Sequence, residues 1–215
     1  MTKANTKVLI LGASGQIARH AVQMLGERKN VEQTLLVRDP KNLTSTEPAN
    51  ARIAIGDVMD KKLLPLLMEG QDVVYANLAG DVDKQTAHIL AVMKSKGVKR
   101  LIFVNSLGIY DEVPGKFGEW NRSEIGQYLP PYRASADLIE ASDIDYTILR
   151  AAWLQDKDEV DYAITSRHEP FKGTEVSRKS VAALAVELIE NPDRLVRTNV
   201  GVNKPNTDGD KPAFV

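Results

Sequence analysis

Two glycines and an alanine spaced three residues apart carry the first chemical signal, in the stretch LGASGQIARH at 11–20. Gly12 permits a sharp turn, and Gly15 lets the backbone approach a bound group without an intervening Cβ. Ala18 permits close packing of a helix on a strand. An apolar run precedes this stretch and a helical pattern follows it. Because the first turn of a helix attracts phosphate, the stretch predicts a dinucleotide-binding turn. The alternative is a tight turn that binds nothing.

The residue that ends the second apolar run predicts which dinucleotide is bound. A site for NAD usually has an acidic residue about 20 residues past the glycines, on the ribose 2′-hydroxyl. Here the run ends in LLVRDP, so Arg38 occupies that place. An arginine can pair with a 2′-phosphate, which favours NADP(H) over NAD(H). The alternative is a surface arginine whose charge Asp39 neutralises. Asp57 in the following GDV is expected near the adenine, or else as the cap of the next helix.

The glycine turn and Arg38 lie in a chain whose sequence pattern alternates between strands and helices. Short apolar runs typical of buried strands lie at 7–11, 33–37, 51–55, 72–80, 100–106 and 145–150. Helical patterns lie at 16–27, 61–70, 83–97, 134–142 and 180–191. Such alternation predicts an α/β fold with a Rossmann-type, doubly wound parallel sheet, formed as a single domain over residues 1–215.

Two connections, at about 107–131 and 152–179, are too long to be simple loops. Each follows a predicted strand and so begins at the carboxyl edge of the sheet. Ligands of open α/β sheets bind at that edge, and long ordered loops are usually functional. We therefore expect both connections on the substrate side of the domain.

Taken together, these segments resemble the atypical short-chain dehydrogenase/reductase group, specifically its small NAD(P)-binding, NmrA-like and flavin-reductase-like proteins. The likeness covers almost the whole chain. It rests on GASGQIAR, LLVRDP, GDVMD, FVNSLGIY, DYTILRAAWL and VSRKSVAALAVELIENP.

The resemblance implies a cofactor site assembled from several turns. Ala13, Ser14, Gly15, Gln16 and Ile17 would line the pyrophosphate, and Asp57 and Val58 would flank the adenine. Ala79 and Gly80 would pass beside the adenosine ribose, Ser106 would reach the nicotinamide region, and Ala151, Ala152 and Trp153 would pack beside the nicotinamide. One departure is that the family's frequent Arg-Pro after the sixth strand is Arg150-Ala151 here.

Ordinary short-chain dehydrogenases pair a serine with Tyr-x-x-x-Lys, whose lysine lowers the pKa of the tyrosine so that it can pass a proton. Ser106 matches the serine, and Tyr132 is the candidate catalytic tyrosine. Four residues after Tyr132 stands Ala136, and four after Tyr128 stands Tyr132, so neither register has the lysine. Tyr110 is a third phenol nearby. The alternative is that all three tyrosines simply pack at the mouth of the cleft.

The missing lysine narrows the predicted reaction. Reducing a ketone places charge on an oxygen that needs a proton, whereas a flavin, quinone or similar conjugated acceptor delocalises the charge. Hydride transfer to such an acceptor needs mainly positioning and exclusion of water. We therefore predict an NADP(H)-dependent oxidoreductase acting on a small conjugated acceptor, with Trp153 either in a stacking wall or merely in the core. The alternative is a non-catalytic NADP(H)-binding redox sensor or regulatory protein of the NmrA-like type.

Composition excludes several other classes. The 215 residues carry a net charge of −1. The protein therefore has no net positive charge that would attract nucleic acid or an anionic membrane. Cysteine is absent and the three histidines are scattered, so neither a disulfide nor a metal site is predicted. No apolar stretch approaches the roughly 20 residues of a membrane span, and none precedes the first strand. We expect a cytoplasmic monomer or homodimer whose partner is a small-molecule acceptor.

Overall fold

Strands and helices alternate along the chain in the computed structural model, which describes residues 5–43 and 47–215. The strands are β1 (Thr6–Leu11), β2 (Val31–Val37), β3 (Ala51–Ile55), β4 (Val73–Ala76), β5 (Arg100–Ser106), β6 (Asp145–Ala151), β7 (Trp153–Gln155), β8 (Ala163–Thr165), β9 (Glu175–Ser177) and β10 (Thr198–Asn203). The helices are α1 (Gln16–Gly26), α2 (Leu63–Met68), α3 (Val82–Lys96), α4 (Gly115–Ile125), α5 (Leu129–Glu140) and α6 (Arg178–Glu190).

Eight strands form one sheet in the order β3-β2-β1-β4-β5-β6-β10-β8. All neighbours are parallel except β8, which runs antiparallel to β10. The order reverses between β1 and β4, where Leu11 lies opposite Ala76. A crevice at the carboxyl ends of these two strands is the usual ligand site of a doubly wound sheet. The predicted Rossmann-type fold is confirmed.

The sheet is covered on both faces, which explains its uninterrupted apolar strands. On β1, Val8 and Ile10 pack in the core cluster that contains α1 and α6. The alternate side chains, Leu9 and Leu11, pack in the second cluster with α2, α3 and α5. Because successive strand residues point to opposite faces, each of the four must be apolar.

The first long connection contains one helix that the pattern did not predict and the start of another that was predicted to begin later. Helix α4 occupies its middle, and α5 begins at Leu129 rather than near residue 134. Pro130 and Pro131 lie in the first turn of α5, where a missing N–H costs no intrahelical bond. The prolines therefore start the helix rather than delay it.

The second long connection also contains regular structure. Strands β7 and β9 form a separate parallel pair with Trp153 opposite Glu175, and β8 joins the edge of the main sheet. Strand β10 was not predicted. At its Gly201, an added Cβ would lie 2.6 Å from the ring of Phe171, so this strand accepts the ring only because it lacks a side chain there.

Candidate active site

The glycine turn between β1 and α1 has the backbone geometry that a phosphate loop requires. Gly12 has a φ of +73°, and a Cβ there would lie 2.2 Å from the backbone oxygen of Asn77. Gly15 is the N-cap of α1 and supplies no side-chain hydrogen bond. The first-turn N–H groups of a helix have no intrahelical acceptor. They are therefore disposed toward a bound anion, and the loop fits a dinucleotide phosphate.

The other residues of this turn divide between the core and the surface. Ala13 is fully buried, and its N–H donates to the Leu36 carbonyl at 3.2 Å. Gln16 is exposed, whereas Ile17 is buried at the start of α1. Ala13 therefore supports the turn through its backbone and presents no side chain to a ligand.

A groove of about 160 Å³ lies on one side of the turn. We call it the glycine-loop groove. Its lining includes seven residues predicted to bind the cofactor: Gly12, Ser14, Gly15, Arg38, Asp57, Val58 and Ala79. Gly80, with a φ of +89°, is exposed and does not line this groove. The groove thus gathers residues expected around the pyrophosphate and the adenosine of the dinucleotide.

Two acidic residues near this groove have local roles. The Asp39 carboxylate accepts the N–H of Lys41 at 2.9 Å and caps a short 3-10 turn, so it is held by its own backbone and not by Arg38. Asp57 accepts the N–H of Met59 at 2.8 Å. The alternative that Asp57 caps α2 is wrong, because the Asp60 carboxylate bonds the backbone at the start of that helix.

A larger cavity of about 530 Å³ lies next to the glycine-loop groove, and we call it the aromatic cleft. It is lined by Ile17 and by the residues predicted for the nicotinamide end and for catalysis, namely Ser106, Tyr132, Ala151, Ala152 and Trp153. Leu78 lines both this cleft and the glycine-loop groove. The two cavities therefore adjoin at the carboxyl edge of the sheet.

Asn105 connects the two candidate catalytic residues. Its side chain is buried, its Oδ1 accepts the N–H of Ser106 at 2.7 Å, and its Nδ2 donates to the Tyr132 carbonyl at 3.0 Å. The Ser106 hydroxyl donates to the carbonyl of Leu107 at 3.1 Å. The sequence reasoning missed Asn105, although its place directly before the serine in FVNS was a possible signal.

The three candidate tyrosines do not share one environment. Tyr128 and Tyr132 line the aromatic cleft, and burial raises the pKa of the Tyr132 phenol. Tyr110 instead donates to Glu140 at 3.2 Å and accepts from Asn199 at 2.9 Å. Burial, with the nearby Glu140 charge, raises the pKa of Tyr110 to about 12. The alternative that all three tyrosines pack at the cleft mouth is therefore wrong for Tyr110.

Trp153 lines the cleft and is backed by two aromatic side chains of α4 that do not line it. Its ring centroid lies 4.6 Å from that of Trp120, and the Trp120 ring lies 6.1 Å from that of Phe117. The Trp153 Nε1 donates to Asn121 at 2.8 Å, which fixes the ring orientation. The sequence reasoning missed Trp120 and Asn121 because it did not predict α4.

Several residues that do line the cleft come from distant parts of the chain, and the sequence did not predict them. They include Asn77 and Leu78 after β4, Leu154 in β7, Arg178 at the start of α6, and Phe214 in the C-terminal segment. These residues share a location at the cleft in the folded chain, but they do not share a residue type. No spacing rule in the sequence would have selected them.

Metal ligands and membrane-spanning helices can be assessed over residues 5–43 and 47–215, which the structure describes. No group of three or more histidine, cysteine, aspartate or glutamate side chains within these ranges is arranged to hold a metal ion. Among the helices of the same ranges, none has both the length and the apolar character needed to span a membrane.

Comparison with known proteins agrees with this geometry. A family model described as NAD(P)H-binding matches residues 12–192. A Rossmann-fold NAD(P)-binding family protein from Shigella flexneri is 50% identical, with 98% of this chain and 99% of that chain covered and a TM-score of 0.85. A short-chain dehydrogenase/reductase from Veillonella parvula, solved in complex with NADP, is 26% identical, with 97% and 99% covered and a TM-score of 0.88.

A curated relative also matches part of the chain. The NAD(P)H azoreductase of Xenophilus azovorans is 27% identical over 115 residues, which are 53% of this chain. The match spans only 40% of the azoreductase. The glycine turn, the doubly wound sheet and the family model together show that this chain belongs to the NAD(P)H-binding family of Rossmann-fold proteins.

Proposed function

We propose that this protein is an NADP(H)-dependent reductase that transfers hydride to a flat, conjugated small molecule held in the aromatic cleft. One observation carries the proposal. The glycine-loop groove and the aromatic cleft adjoin at Leu78, which lines both. A dinucleotide bound along the carboxyl edge of the sheet would reach from the groove into the cleft.

The preference for NADP(H) rests on Arg38. Its side chain is exposed at the groove, and Asp39 is engaged by the backbone of Lys41. A guanidinium free to approach a 2′-phosphate can form charge-assisted, bidentate bonds. The NADP complex of the Veillonella parvula structure supports this choice.

The residues around the predicted nicotinamide position would orient the reactants. When bound, the dinucleotide supplies the hydride. The buried Ala151 and Ala152 offer a flat surface for its ring, and the Ser106 hydroxyl is within the same cleft to position polar groups. Trp153, held by Asn121, would stack against the acceptor. The reaction would then depend on positioning of the two reactants rather than on acid–base chemistry.

The state of Tyr132 favours an acceptor that needs no strong proton donor. Burial raises the pKa of its phenol, and the lysine that would lower that pKa is absent from the register. An acceptor that delocalises charge avoids this difficulty. The partial similarity to an azoreductase supports a conjugated acceptor of this kind.

Both long connections contribute to the cleft, which supports their assignment to the substrate side. Tyr128 and Leu129 come from residues 107–131, and Trp153, Leu154 and Arg178 come from residues 152–179. Variation in these segments would alter the acceptor while leaving the glycine turn unchanged.

The test is oxidation of NADPH, followed by absorbance, with an azo dye, a quinone, a flavin and an aldehyde, beside a direct NADPH titration. We expect the three conjugated acceptors to be reduced faster than the aldehyde. Trp153→Ala should raise the KM for the acceptor more than it lowers kcat. Tight NADPH binding without oxidation by any acceptor would replace this proposal with the redox-sensor alternative. Faster reduction of the aldehyde would indicate ordinary carbonyl reduction.

A further inference from the structure

Arg178 is the one ionic side chain that lines the aromatic cleft, counting the residues that the structure describes. The rest of the lining is apolar, aromatic or neutral and polar, as with Trp153, Tyr132 and Asn77. A single cation in an apolar cleft is costly to desolvate unless an anion accompanies it. We therefore expect the Arg178 guanidinium to pair with an anion.

The partner within the chain satisfies Arg178 only in part. Its Nη1 donates to the Asp156 carboxylate at 2.9 Å, and its side chain is 17% exposed. The Nε is buried and has no hydrogen-bond partner among the described residues. Asp156 is 79% exposed, so this ion pair is weak and its carboxylate can move into solvent.

A stabilising effect on helix α6 does not explain why an arginine stands at position 178. Arg178 is the first residue of α6, where the helix dipole disfavours a cation. The helix is already capped, because the Ser177 hydroxyl accepts the N–H of Ser180 at 2.9 Å. Lys179, beside it, pairs with Asp158 and does not line the cleft.

We propose that Arg178 binds a carboxylate substituent of the acceptor, so that the preferred acceptors are conjugated aromatic acids. This inference rests on the proposed function to the extent that it places the acceptor in the aromatic cleft. Trp153 and Tyr132 in the cleft would hold the flat part, and the guanidinium would donate two hydrogen bonds to the carboxylate. The other oxyanion within reach of this region is the cofactor's diphosphate, because Ile17 at the start of α1 lines the same cleft.

The experiment uses 4-(phenylazo)benzoic acid and its uncharged methyl ester. Each dye is titrated by its absorbance change into protein saturated with NADP⁺, a measurement that requires no turnover. Arg178→Gln should weaken binding of the acid by about 10- to 100-fold, the range for a lost bond to a charged group. Binding of the ester should stay within about twofold. Arg178→Lys, which keeps the charge without the planar fork, should show a smaller loss for the acid.

Lys179→Gln is the matched control, since it removes the neighbouring cation on the same helix turn and should leave binding of both dyes unchanged. Equal losses for the acid and the ester, or no loss for either, would overturn the proposal. So would failure of the wild-type protein to prefer the acid. Suppose instead that Arg178→Gln loses dye binding only because its affinity for the dinucleotide falls. That result would assign Arg178 to the cofactor's diphosphate, and it would also overturn the proposal. If the acid binds through Arg178 but neither dye is reduced by NADPH, this proposal stands and the reductase proposal fails.

Discussion

The side-chain amide of Asn105 donates to the backbone carbonyl of Tyr132 across 3.0 Å. Through its other end the same side chain accepts the N–H of Ser106 at 2.7 Å. A buried residue at the end of β5 therefore holds the start of α5 at a defined position beside the serine. This amide therefore links the positions of the two candidate catalytic residues, Ser106 and Tyr132.

Asn105→Ala should lower both stability and activity. It removes the acceptor of the Ser106 N–H and a side-chain donor to the Tyr132 carbonyl, so the free energy of unfolding should fall by about 1–3 kcal/mol. The measurement is urea denaturation together with kcat/KM for the best acceptor. Asn191→Ala is the control, because that side chain donates only within the end of α6, to the Glu187 carbonyl. Equal effects of the two substitutions would contradict the positioning role.

Gly15→Ala should weaken NADPH binding without unfolding the protein. The added methyl would lie 2.9 Å from the Asn77 amide and 3.1 Å from the Gly12 carbonyl, on the turn that faces the phosphate. The flexible amide can shift, so the fold should survive while the NADPH dissociation constant rises by about 10-fold or more. Gly126→Ala is the control, since its new methyl would meet only the Arg122 side chain, at 3.4 Å. Unchanged affinity in Gly15→Ala would mean that phosphate binds elsewhere.

Arg38→Ala should discriminate between the two dinucleotides. Only NADPH carries the 2′-phosphate, so its affinity should fall by about 10- to 150-fold, while that of NADH changes little. Fluorescence titration with both dinucleotides provides the measurement. Lys41→Ala removes a nearby cation that does not line the glycine-loop groove, and it should affect neither titration. Equal losses for NADPH and NADH in Arg38→Ala would remove the main support for NADP(H).

Tyr132→Phe and Tyr128→Phe should each retain most of the reductase activity. General acid catalysis, where present, contributes about 10²–10⁴-fold, and the proposed reaction does not require it. Ser106→Ala should also cost less than that range, because its hydroxyl positions a reactant. Steady-state NADPH oxidation decides the matter. A collapse of about a thousandfold in Tyr132→Phe alone, with NADPH binding intact, would identify a proton-donating tyrosine that works without its lysine.

Tyr75→Phe and Tyr110→Phe should change stability in opposite directions. The Tyr75 hydroxyl is fully buried and has no partner among the described residues, so its removal should stabilise the fold by about 1 kcal/mol. Tyr110 bonds Glu140 and Asn199, so its loss should destabilise the fold by about 1–2 kcal/mol. Urea denaturation of both variants at neutral pH is the measurement. Destabilisation by Tyr75→Phe would reveal an ordered partner for its hydroxyl.

Alkaline pH should weaken the fold through the buried Tyr75. Burial raises the pKa of its phenol, whereas an exposed tyrosine titrates near pH 10. The unfolded chain therefore releases this proton first as the pH rises. The free energy of unfolding should be level below about pH 10 and fall above it, and Tyr75→Phe should reduce that fall. An equally steep fall in the variant would assign the effect to other groups.

The sequence by itself determined the features that are set by residues close to one another along the chain. The turn at Gly12 follows from its backbone freedom, and the alternation of apolar strands with helices specifies a doubly wound sheet. Arg38 lies at the glycine-loop groove because it directly follows β2, whose end must reach the carboxyl edge. Each of these features is decided by local geometry and by the direction of parallel strands.

Only the tertiary structure decided which distant side chains meet. Tyr110 turns to Asn199, 89 residues away, instead of facing the cleft. Trp120 contacts Trp153 because α4 and β7 meet in the folded chain. Arg178 lines the cleft because it directly follows β9, which pairs with β7. Strand β10 was missed because its alternating polar residues resemble a loop until β6 and β8 flank it. Side-chain direction at the end of a strand depends on such long-range packing, which residue type and spacing do not encode.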